Sequence, residues 1–164
     1  VRALLKYGAP LRAIVPGTVY RNEATDASHE HTFEQIEGIM VDKNISIANL
    51  IAFMQQVVVA VFKKEVKIRL RPGHFNFVEP GFEMDIWCLK CMGAGCPVCK
   101  HSGWVEVVGC GLMHPSVLEY GKINSDKYSG VAFGFGLTRL VMMRYGIEDM
   151  RLIRGGDLKF LNQF

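Results

Sequence analysis

Several features are scarce or missing in this sequence of 164 residues, and each absence narrows the class of protein. No stretch approaches the ~18 uninterrupted apolar residues of a membrane-spanning helix, and no signal-peptide pattern of charged, apolar and small residues is present. The net charge is only +3 and no run of lysine or arginine concentrates it, so charge alone identifies no nucleic-acid partner. There is no internal repeat and no low-complexity tract. We therefore expect a soluble protein with no membrane partner.

Cysteine is almost absent outside one short segment. Four of the five cysteines cluster there, at Cys88, Cys91, Cys96 and Cys99. Disulfides that join distant segments need cysteines spread along the chain, whereas a local cluster favours a metal site. A reducing, cytoplasmic setting agrees with this pattern. The fifth cysteine, Cys110, is expected to be a small buried residue rather than a ligand.

The spacing Cys-x2-Cys-x4-Cys-x2-Cys is a strong signal for a metal ion. Two pairs this close, with Gly93 and Gly95 for tight turns, can wrap one tetrahedral ion. We expect Zn²⁺ in a structural role, because four thiolates leave no open coordination position. An iron-sulfur cluster is the minor alternative, and four free thiols in a loop would leave two equally spaced pairs unexplained. We call residues 88–101 the cysteine knuckle and expect it to be an insertion in a larger domain.

The length of the chain and its hydrophobic content of 49% support one well-buried core and not two ordinary domains. The chain begins with Val1, and residues 1–7 read like the end of a helix. We therefore expect one domain, over residues 1–164, that begins inside a larger protein.

Hydrophobic periodicity predicts an α+β fold. Apolar residues at helical spacing predict a helix over residues 47–62, with Ser46 as its N-cap. Strands are predicted at residues 13–20, 33–41, 66–71, 82–87, 103–108 and 129–135. Further helical segments are predicted at residues 115–120, 136–145, 147–152 and 157–162. Successive hairpins with interspersed helices favour an antiparallel sheet flanked by helices over a doubly wound parallel sheet.

Three short runs place reactive groups on one side of the chain when they are read with the period of a strand. The runs are Arg21 and Glu23; Phe33, Gln35 and Glu37; and Phe75, Phe77 and Glu79. Amides and carboxylates that face inward on a sheet are costly unless something pairs with them, which makes a polar ligand a natural partner. Taken singly, each run is weak evidence, because a surface ion pair or ordinary core packing would explain it.

The segment from Gly134 to Arg139 carries more weight. It places two glycines at a predicted strand-to-helix junction and an arginine in the first turn of the helix. Glycines let a ligand approach the backbone, a helix N-terminus favours an anion, and the Arg139 guanidinium suits phosphate. A lone Gly-x-Gly is common. Its position downstream of an Arg-x-Glu strand and of a loop with His29 and His31 makes it far more specific.

These motifs together resemble those of one family, the alpha subunits of bacterial-type phenylalanyl-tRNA synthetases, which are class II aminoacyl-tRNA synthetases. The resemblance runs nearly end to end. The matching stretches are GTVYRNE at 17–23, FEQIEG at 33–38, FNFVEP at 75–80, GCGLMHP at 109–115, GFGLTRL at 134–140 and the closing FLNQF at 160–164. The resemblance implies a class II synthetase-like antiparallel sheet, in which the cysteine knuckle is an insertion that only some family members share.

The resemblance also implies roles for individual residues. Arg21 and Arg139 would be the catalytic pair, with Arg21 on the ATP α-phosphate and the amino-acid carboxylate, and Arg139 on the γ-phosphate. The ATP-binding set would be Arg21, Glu23, His29, Phe33, Gly136 and Arg139. The amino-acid-binding set would be Gln35, Glu37, Phe75, Phe77, Ala132 and Gly134. Glu79 would help to hold Mg²⁺, shared with a partner subunit, because hard cations choose oxygen ligands.

The implied reaction is the activation of L-phenylalanine by ATP to phenylalanyl-adenylate and pyrophosphate, followed by transfer to tRNA(Phe). The implied partner is a beta subunit, in a heterotetramer of two alpha and two beta chains. The first class II motif and an N-terminal tRNA-binding coiled coil are expected to precede Val1, so this fragment alone is not expected to carry the full activity.

Two other functions are weighed against this one. A synthetase-like domain with a binding or regulatory role would keep the fold and lose catalysis, but such relatives usually lose a phosphate arginine or the amino-acid clamp. This chain keeps Arg21, Arg139, Gln35 and Glu37. A zinc-ribbon nucleic-acid module would explain the cysteine knuckle and leave the two arginines unexplained.

Overall fold

The structure of the protein is a computed structural model, which describes residues 1–22, 24–26 and 30–164. The helices are α1 (Arg2–Tyr7), α2 (Ile47–Phe62), α3 (Pro115–Tyr120), α4 (Leu137–Tyr145), α5 (Arg151–Arg154) and α6 (Leu158–Leu161). The strands are β1 (Leu11–Tyr20), β2 (Thr32–Asp42), β3 (Ile68–Pro72), β4 (Val78–Trp87), β5 (Trp104–Met113) and β6 (Ser129–Gly136). A short 3-10 helix, Pro97–Cys99, lies in the cysteine knuckle.

The six strands form one sheet in the order β1-β2-β6-β5-β4-β3, and every neighbouring pair is antiparallel. The predicted α+β class with an antiparallel sheet is confirmed. The last strand of the chain, β6, lies in the middle of the sheet between β2 and β5. This strand order brings β2, from the first part of the chain, beside β6, from its last part.

Helix α2 forms for reasons that are visible in the sequence. Ser46 is the N-cap, and its backbone N–H donates to the Asn49 side chain at 2.9 Å, as in a capping box. Every fourth residue from Leu50 to Phe62 is buried, so one stripe of the helix faces the sheet. The predicted cap and helix are therefore confirmed.

The principal core lies between this helix layer and one face of the sheet. Val131, Phe133 and Phe135 alternate along β6 and are buried, and the Phe133 ring lies 5.1 Å from the Phe53 ring of α2. A second buried cluster joins α1, α3 and the sheet through Leu4, Val41, Met113, Leu118 and Ile123. The residues between the buried ones on β6 face the opposite side of the sheet.

The strand bounds differ most from the prediction in β4 and β5, while β1 and β3 each begin two residues away from the predicted start. β4 begins at Val78 and not at residue 82, and β5 continues to Met113 and not to residue 108. Both extensions contain glycine, which lowers strand propensity in a local pattern but fits a ladder where another segment packs close to the backbone. The helix predicted at residues 147–152 is instead the single turn Arg151–Arg154. Among the described residues, every helix is too short or too polar to cross a membrane.

Candidate active site

A cleft of about 730 Å³ opens on the face of the sheet away from α2. Ten of the residues singled out from the sequence line it, namely Arg21, Phe33, Gln35, Glu37, Phe75, Phe77, Ala132, Gly134, Gly136 and Arg139. They come from β2, β6, the start of α4, the residue after β1 and the turn before β4. The sheet therefore collects into one cavity side chains that lie up to 118 residues apart in the chain.

Phe33, Gln35 and Glu37 alternate along β2 and all line the cleft, as expected for residues on one face of a strand. Gln35 is half-buried and lies across Gly134, where an added Cβ would come within 2.8 Å of the Gln35 Nε2. Glu37 pairs with Gly134 in the β2–β6 ladder but is exposed. The interpretation of this carboxylate as buried is therefore wrong, because the cleft that it lines is open to water.

At the start of β2 the Arg21 guanidinium lies 4.9 Å from the centre of the Phe33 ring. Such a distance is within the range of a cation–π contact. The Arg21 backbone N–H also donates to the His31 carbonyl at 2.8 Å, which continues the β1–β2 hairpin past Tyr20. The cationic group and the aromatic face therefore lie together at one end of the cleft.

Phe75 occupies a nest of glycines on the opposite wall. A Cβ added to Gly109 would lie 2.9 Å from Phe75 Cζ, and Gly73 and Gly81 each come within 3.3 Å of the ring in the same way. The Phe75 and Phe77 ring centres lie 6.0 Å apart with planes tilted by 31°. A side chain at any of these three glycines would therefore occupy space that the Phe75 ring fills.

The alternation predicted for Phe75, Phe77 and Glu79 is wrong. Residues 76 and 77 form a tight turn in which the Val78 N–H donates to the Phe75 carbonyl at 3.2 Å, and strand pairing begins only at Val78. Phe75 is half-buried, and Phe77 is 58% exposed. Both rings reach the cleft, but from a turn and not from one face of a strand.

Glu79 lies outside this cleft, as judged from the described residues that line it. Its carboxylate is exposed and lies 3.5 Å from Nε2 of His114. Nδ1 of His114 accepts the Ser116 N–H at 3.2 Å at the start of α3, so Nε2 is free to carry the proton toward Glu79. Two other predicted ATP contacts, Glu23 and His29, lie outside the described residues.

The strand-to-helix junction falls where the motif predicts it. β6 ends at Gly136 and α4 begins at Leu137, so Arg139 stands in the first turn of the helix. The Arg139 side chain extends over the neighbouring strand β5, and its Nη1 donates to the Glu106 carbonyl at 3.4 Å. The cleft thus has Arg21 near one end and Arg139 at the helix N-terminus, a pair of cations suited to a polyphosphate.

A charged network on β3, β4 and β5 was missed by the sequence analysis. Asp85 is almost fully buried and accepts from Arg69 Nε at 2.8 Å and from Arg71 Nε at 2.7 Å and Nη2 at 2.9 Å. Arg71 also contacts Glu83 at 2.9 Å and Glu106 at 3.6 Å, and both of these carboxylates line the cleft. The alternation of residues 66–71 predicted that the arginines of β3 face solvent. The acidic residues of β4 were the signal in the sequence that could have identified their ion-pair partners.

The network determines the ionisation of Asp85. Burial by itself would raise the pKa of Asp85, but the hydrogen bonds from Arg71 and Arg69 outweigh it and hold the pKa below its ordinary value. The pKa of Arg71 is raised chiefly by its hydrogen bond to Asp85. The carboxylate is therefore ionised at neutral pH and holds both arginines in place.

The four sulfur atoms of the cysteine knuckle converge. All lie within 4.8 Å of one another, with separations of 3.8 Å for Cys88–Cys96, and 3.7 Å for Cys91–Cys99 and Cys96–Cys99. The knuckle joins β4 to β5, and the Trp87 and Trp104 rings contact edge to face at its base. Such a group of thiols could hold a metal ion.

Backbone amides surround one of these thiols. Burial would raise the pKa of Cys99, but the N–H groups of Cys96 at 3.2 Å and Gly103 at 3.3 Å, with the neighbouring thiols, lower it to about 6. Burial raises the pKa of Cys88 to about 11. The fifth cysteine, Cys110, lies in the core as predicted, where burial raises its pKa to about 12. Donors directed at sulfur favour the thiolate form that a metal binds.

Comparison with known proteins identifies the class. The family described as tRNA synthetases class II core domain (F) matches residues 1–164, and the chain belongs to this family. Its fold is similar to that of a pyrrolysyl-tRNA synthetase from Desulfitobacterium hafniense, with a TM-score of 0.58 and 20% identity over 92% of this chain and 48% of that one.

Two relatives with higher sequence identity are both phenylalanine–tRNA ligase alpha subunits. The chain is 59% identical to the phenylalanine–tRNA ligase alpha subunit of Leptospira biflexa and 49% identical to that of Francisella tularensis, over all 164 residues in each case. Each match covers 48% of the relative. The chain therefore spans about half the length of the curated relatives that it matches.

Proposed function

We propose that this chain is the catalytic core of a phenylalanine–tRNA ligase, which activates L-phenylalanine with ATP and transfers it to tRNA(Phe). The observation that carries the proposal is the convergence of two arginines, an amide-carboxylate pair and two phenylalanine rings in one cleft. Identity of up to 59% to alpha subunits of that name supports the choice of amino acid.

The chemistry of the first step needs no side-chain nucleophile. The phenylalanine carboxylate attacks the ATP α-phosphorus in line, the bond to the bridging oxygen of pyrophosphate breaks, and the aminoacyl-adenylate remains. Arg21 neutralises charge on the α-phosphate, and Arg139 holds the γ-phosphate beside the helix N-terminus. Catalysis by this chain is therefore positioning and electrostatic stabilisation, with the adenine placed against the Phe33 ring.

The amino-acid end of the cleft has matching groups. Gln35 and Glu37 offer an amide oxygen and a carboxylate to the substrate ammonium group. Phe75, held by its glycine nest, and Phe77 present ring edges and faces to the phenyl ring, a geometry that aromatic pairs favour. Ala132 and Gly134 follow one another on the cleft face of β6 and leave space for that ring.

Mg²⁺ is the expected companion of ATP and would supply positive charge at the phosphate oxygens when bound. Glu79 has the right donor chemistry, a carboxylate with a side chain 77% exposed. It lies outside the cleft lining, so it fits as a ligand shared with a partner subunit and not as part of a cage built by this chain alone. Glu83 and Glu106 place further carboxylates in the cleft wall.

The cysteine knuckle fits one Zn²⁺ ion. A tetrahedron with Zn–S bonds of about 2.3 Å has sulfur-to-sulfur edges of about 3.8 Å. Three of the six separations, 3.7 to 3.8 Å, agree with that edge, and all six lie within 4.8 Å. An iron-sulfur cluster spreads its thiolates over several iron atoms and needs wider separations. We therefore assign a structural Zn²⁺ to this knuckle, an insertion within the single catalytic domain of residues 1–164.

The intact enzyme is proposed to pair this alpha chain with a beta subunit, two of each, in a reducing cytoplasm. The decisive experiment is phenylalanine-dependent exchange of pyrophosphate into ATP by the full-length alpha subunit, copurified with its beta partner. Exchange with phenylalanine and little with leucine is expected. No exchange with any amino acid would contradict the proposal and favour the binding or regulatory domain.

A further inference from the structure

The ladder between β2 and β6 stops short of two site residues. Its last pair is Gln35 with Gly136, because β6 ends there and the chain turns into α4. Phe33 and Arg139, two of the groups proposed to hold ATP, both lie beyond that last pair. Something other than the ladder must set the distance between them.

Beyond the last ladder pair, hydrogen bonds of Thr138 connect α4 to β2. The Thr138 hydroxyl accepts the Glu34 backbone N–H at 3.2 Å and donates to Glu34 Oε2 at 3.0 Å. The residue is 4% exposed although it is polar, and it lies 104 residues from its partner in the chain. One hydroxyl therefore binds both the main chain and the side chain of Glu34, which is the full use of its donor and one acceptor site.

Glu34 and Thr138 stand next to the residues that the site needs. Glu34 lies between Phe33 and Gln35 but on the opposite side of β2, and Thr138 immediately precedes Arg139. The other carboxylate oxygen of Glu34 contacts Arg154 of α5. The contact with Arg154 therefore braces Glu34, which does not line the cleft, whereas Thr138 is at the cleft wall beside Arg139.

We propose that Thr138, through Glu34, is a positioning residue that sets the separation of Phe33 and Arg139 for ATP. This inference rests on the proposed function of the cleft. Gln35 and Glu37 are held by main-chain pairing with Gly136 and Gly134. Loss of the Thr138 hydroxyl should therefore loosen the ATP end of the cleft and leave the amino-acid end in place.

The test is Thr138→Val in the full-length alpha subunit with its beta partner. Valine keeps the β-branched shape and removes both hydrogen bonds. In pyrophosphate exchange, the KM for ATP should rise about tenfold, because a hydrogen bond to a carboxylate is lost, while the KM for phenylalanine stays within about twofold. Thr138→Ser, which keeps the hydroxyl, should restore the KM for ATP.

Thr18→Val is the matched control, because Thr18 is exposed and lies opposite Glu34 on the other neighbouring strand, β1. It should leave both KM values unchanged. A Thr138→Val enzyme with a lower melting temperature but an unchanged KM for ATP would overturn the proposal, and so would equal rises for both substrates.

Two further outcomes, a Thr138→Val variant that does not fold and a wild-type enzyme without exchange activity, can be distinguished from failure of the proposal. If Thr138→Val fails to fold, Glu34→Gln keeps the volume and the main-chain N–H and removes the charged acceptor. It should raise the KM for ATP severalfold, and an unchanged value would overturn the proposal. Absence of exchange in the wild-type enzyme would instead contradict the function of the cleft; direct ATP binding by the variants would then decide the positioning role.

Discussion

Replacement of Asp85 by alanine tests whether the charged network beside the cleft stabilises the sheet. The side chain is 3% exposed and accepts three hydrogen bonds, all from guanidinium groups. Removal of one partner from a buried ion pair costs about 3–5 kcal/mol, because the remaining charge is left without compensation.

The expected cost here lies below that range. Both arginine side chains are 41% exposed and can regain water. Arg71 keeps Glu83 at 2.9 Å, and the Arg69 guanidinium keeps its place over the Trp104 ring at 4.5 Å. We therefore expect Asp85→Ala to lower the free energy of unfolding by about 2–3 kcal/mol at pH 7.

The pH dependence gives the sign of the effect. The pKa of Asp85 is lower in the folded protein than its ordinary value, so its stabilisation is complete above the unfolded pKa of about 4. It is lost as the pH falls through the folded value. The difference between wild type and Asp85→Ala should therefore be constant from about pH 7 to pH 5 and shrink below about pH 4.

Urea unfolding at several pH values measures both quantities, with fluorescence from Trp87 and Trp104 beside the network and circular dichroism as a second signal. Glu106→Ala is the control, since Glu106 lies 3.6 Å from the same Arg71 but is 51% exposed. It should cost less than about 1 kcal/mol. Equal losses in the two variants, or a difference for Asp85→Ala that persists unchanged at pH 3, would refute the reasoning.

Three other predictions concern the site. Purified protein should contain one Zn²⁺ per chain by plasma mass spectrometry, and visible absorption of an iron-sulfur centre or far less metal after anaerobic purification would contradict this. Arg139→Ala should weaken ATP binding about 10- to 100-fold and barely change phenylalanine binding, whereas Arg21→Ala should weaken both; calorimetry that shows the same pattern for the two variants would reject these roles. Ala132→Leu should abolish phenylalanine binding and leave ATP binding and the melting curve nearly unchanged, while Ala132→Gly should admit analogues enlarged at the para position. Unfolding of Ala132→Leu with loss of both ligands would favour plain core packing.

Features that depend on neighbours in the chain were predictable from the sequence. The buried stripe of α2 and its Ser46 cap follow from a repeat of 3.6 residues and one capping side chain. The cysteine knuckle follows from spacing, because two pairs of thiols eight residues apart can meet without help from the rest of the fold. Gln35 and Glu37 share the cleft wall because a strand alternates its side chains.

Features that depend on which distant strands meet were decided by the tertiary structure alone. No local pattern shows that β6 lies between β2 and β5, yet this order places Gly134 under Gln35 and Thr138 against Glu34. The Phe75 nest and the Asp85 network also need three strands in register before their members touch. Local periodicity is a property of the chain, whereas register between strands far apart in sequence is chosen by the packing of the whole domain.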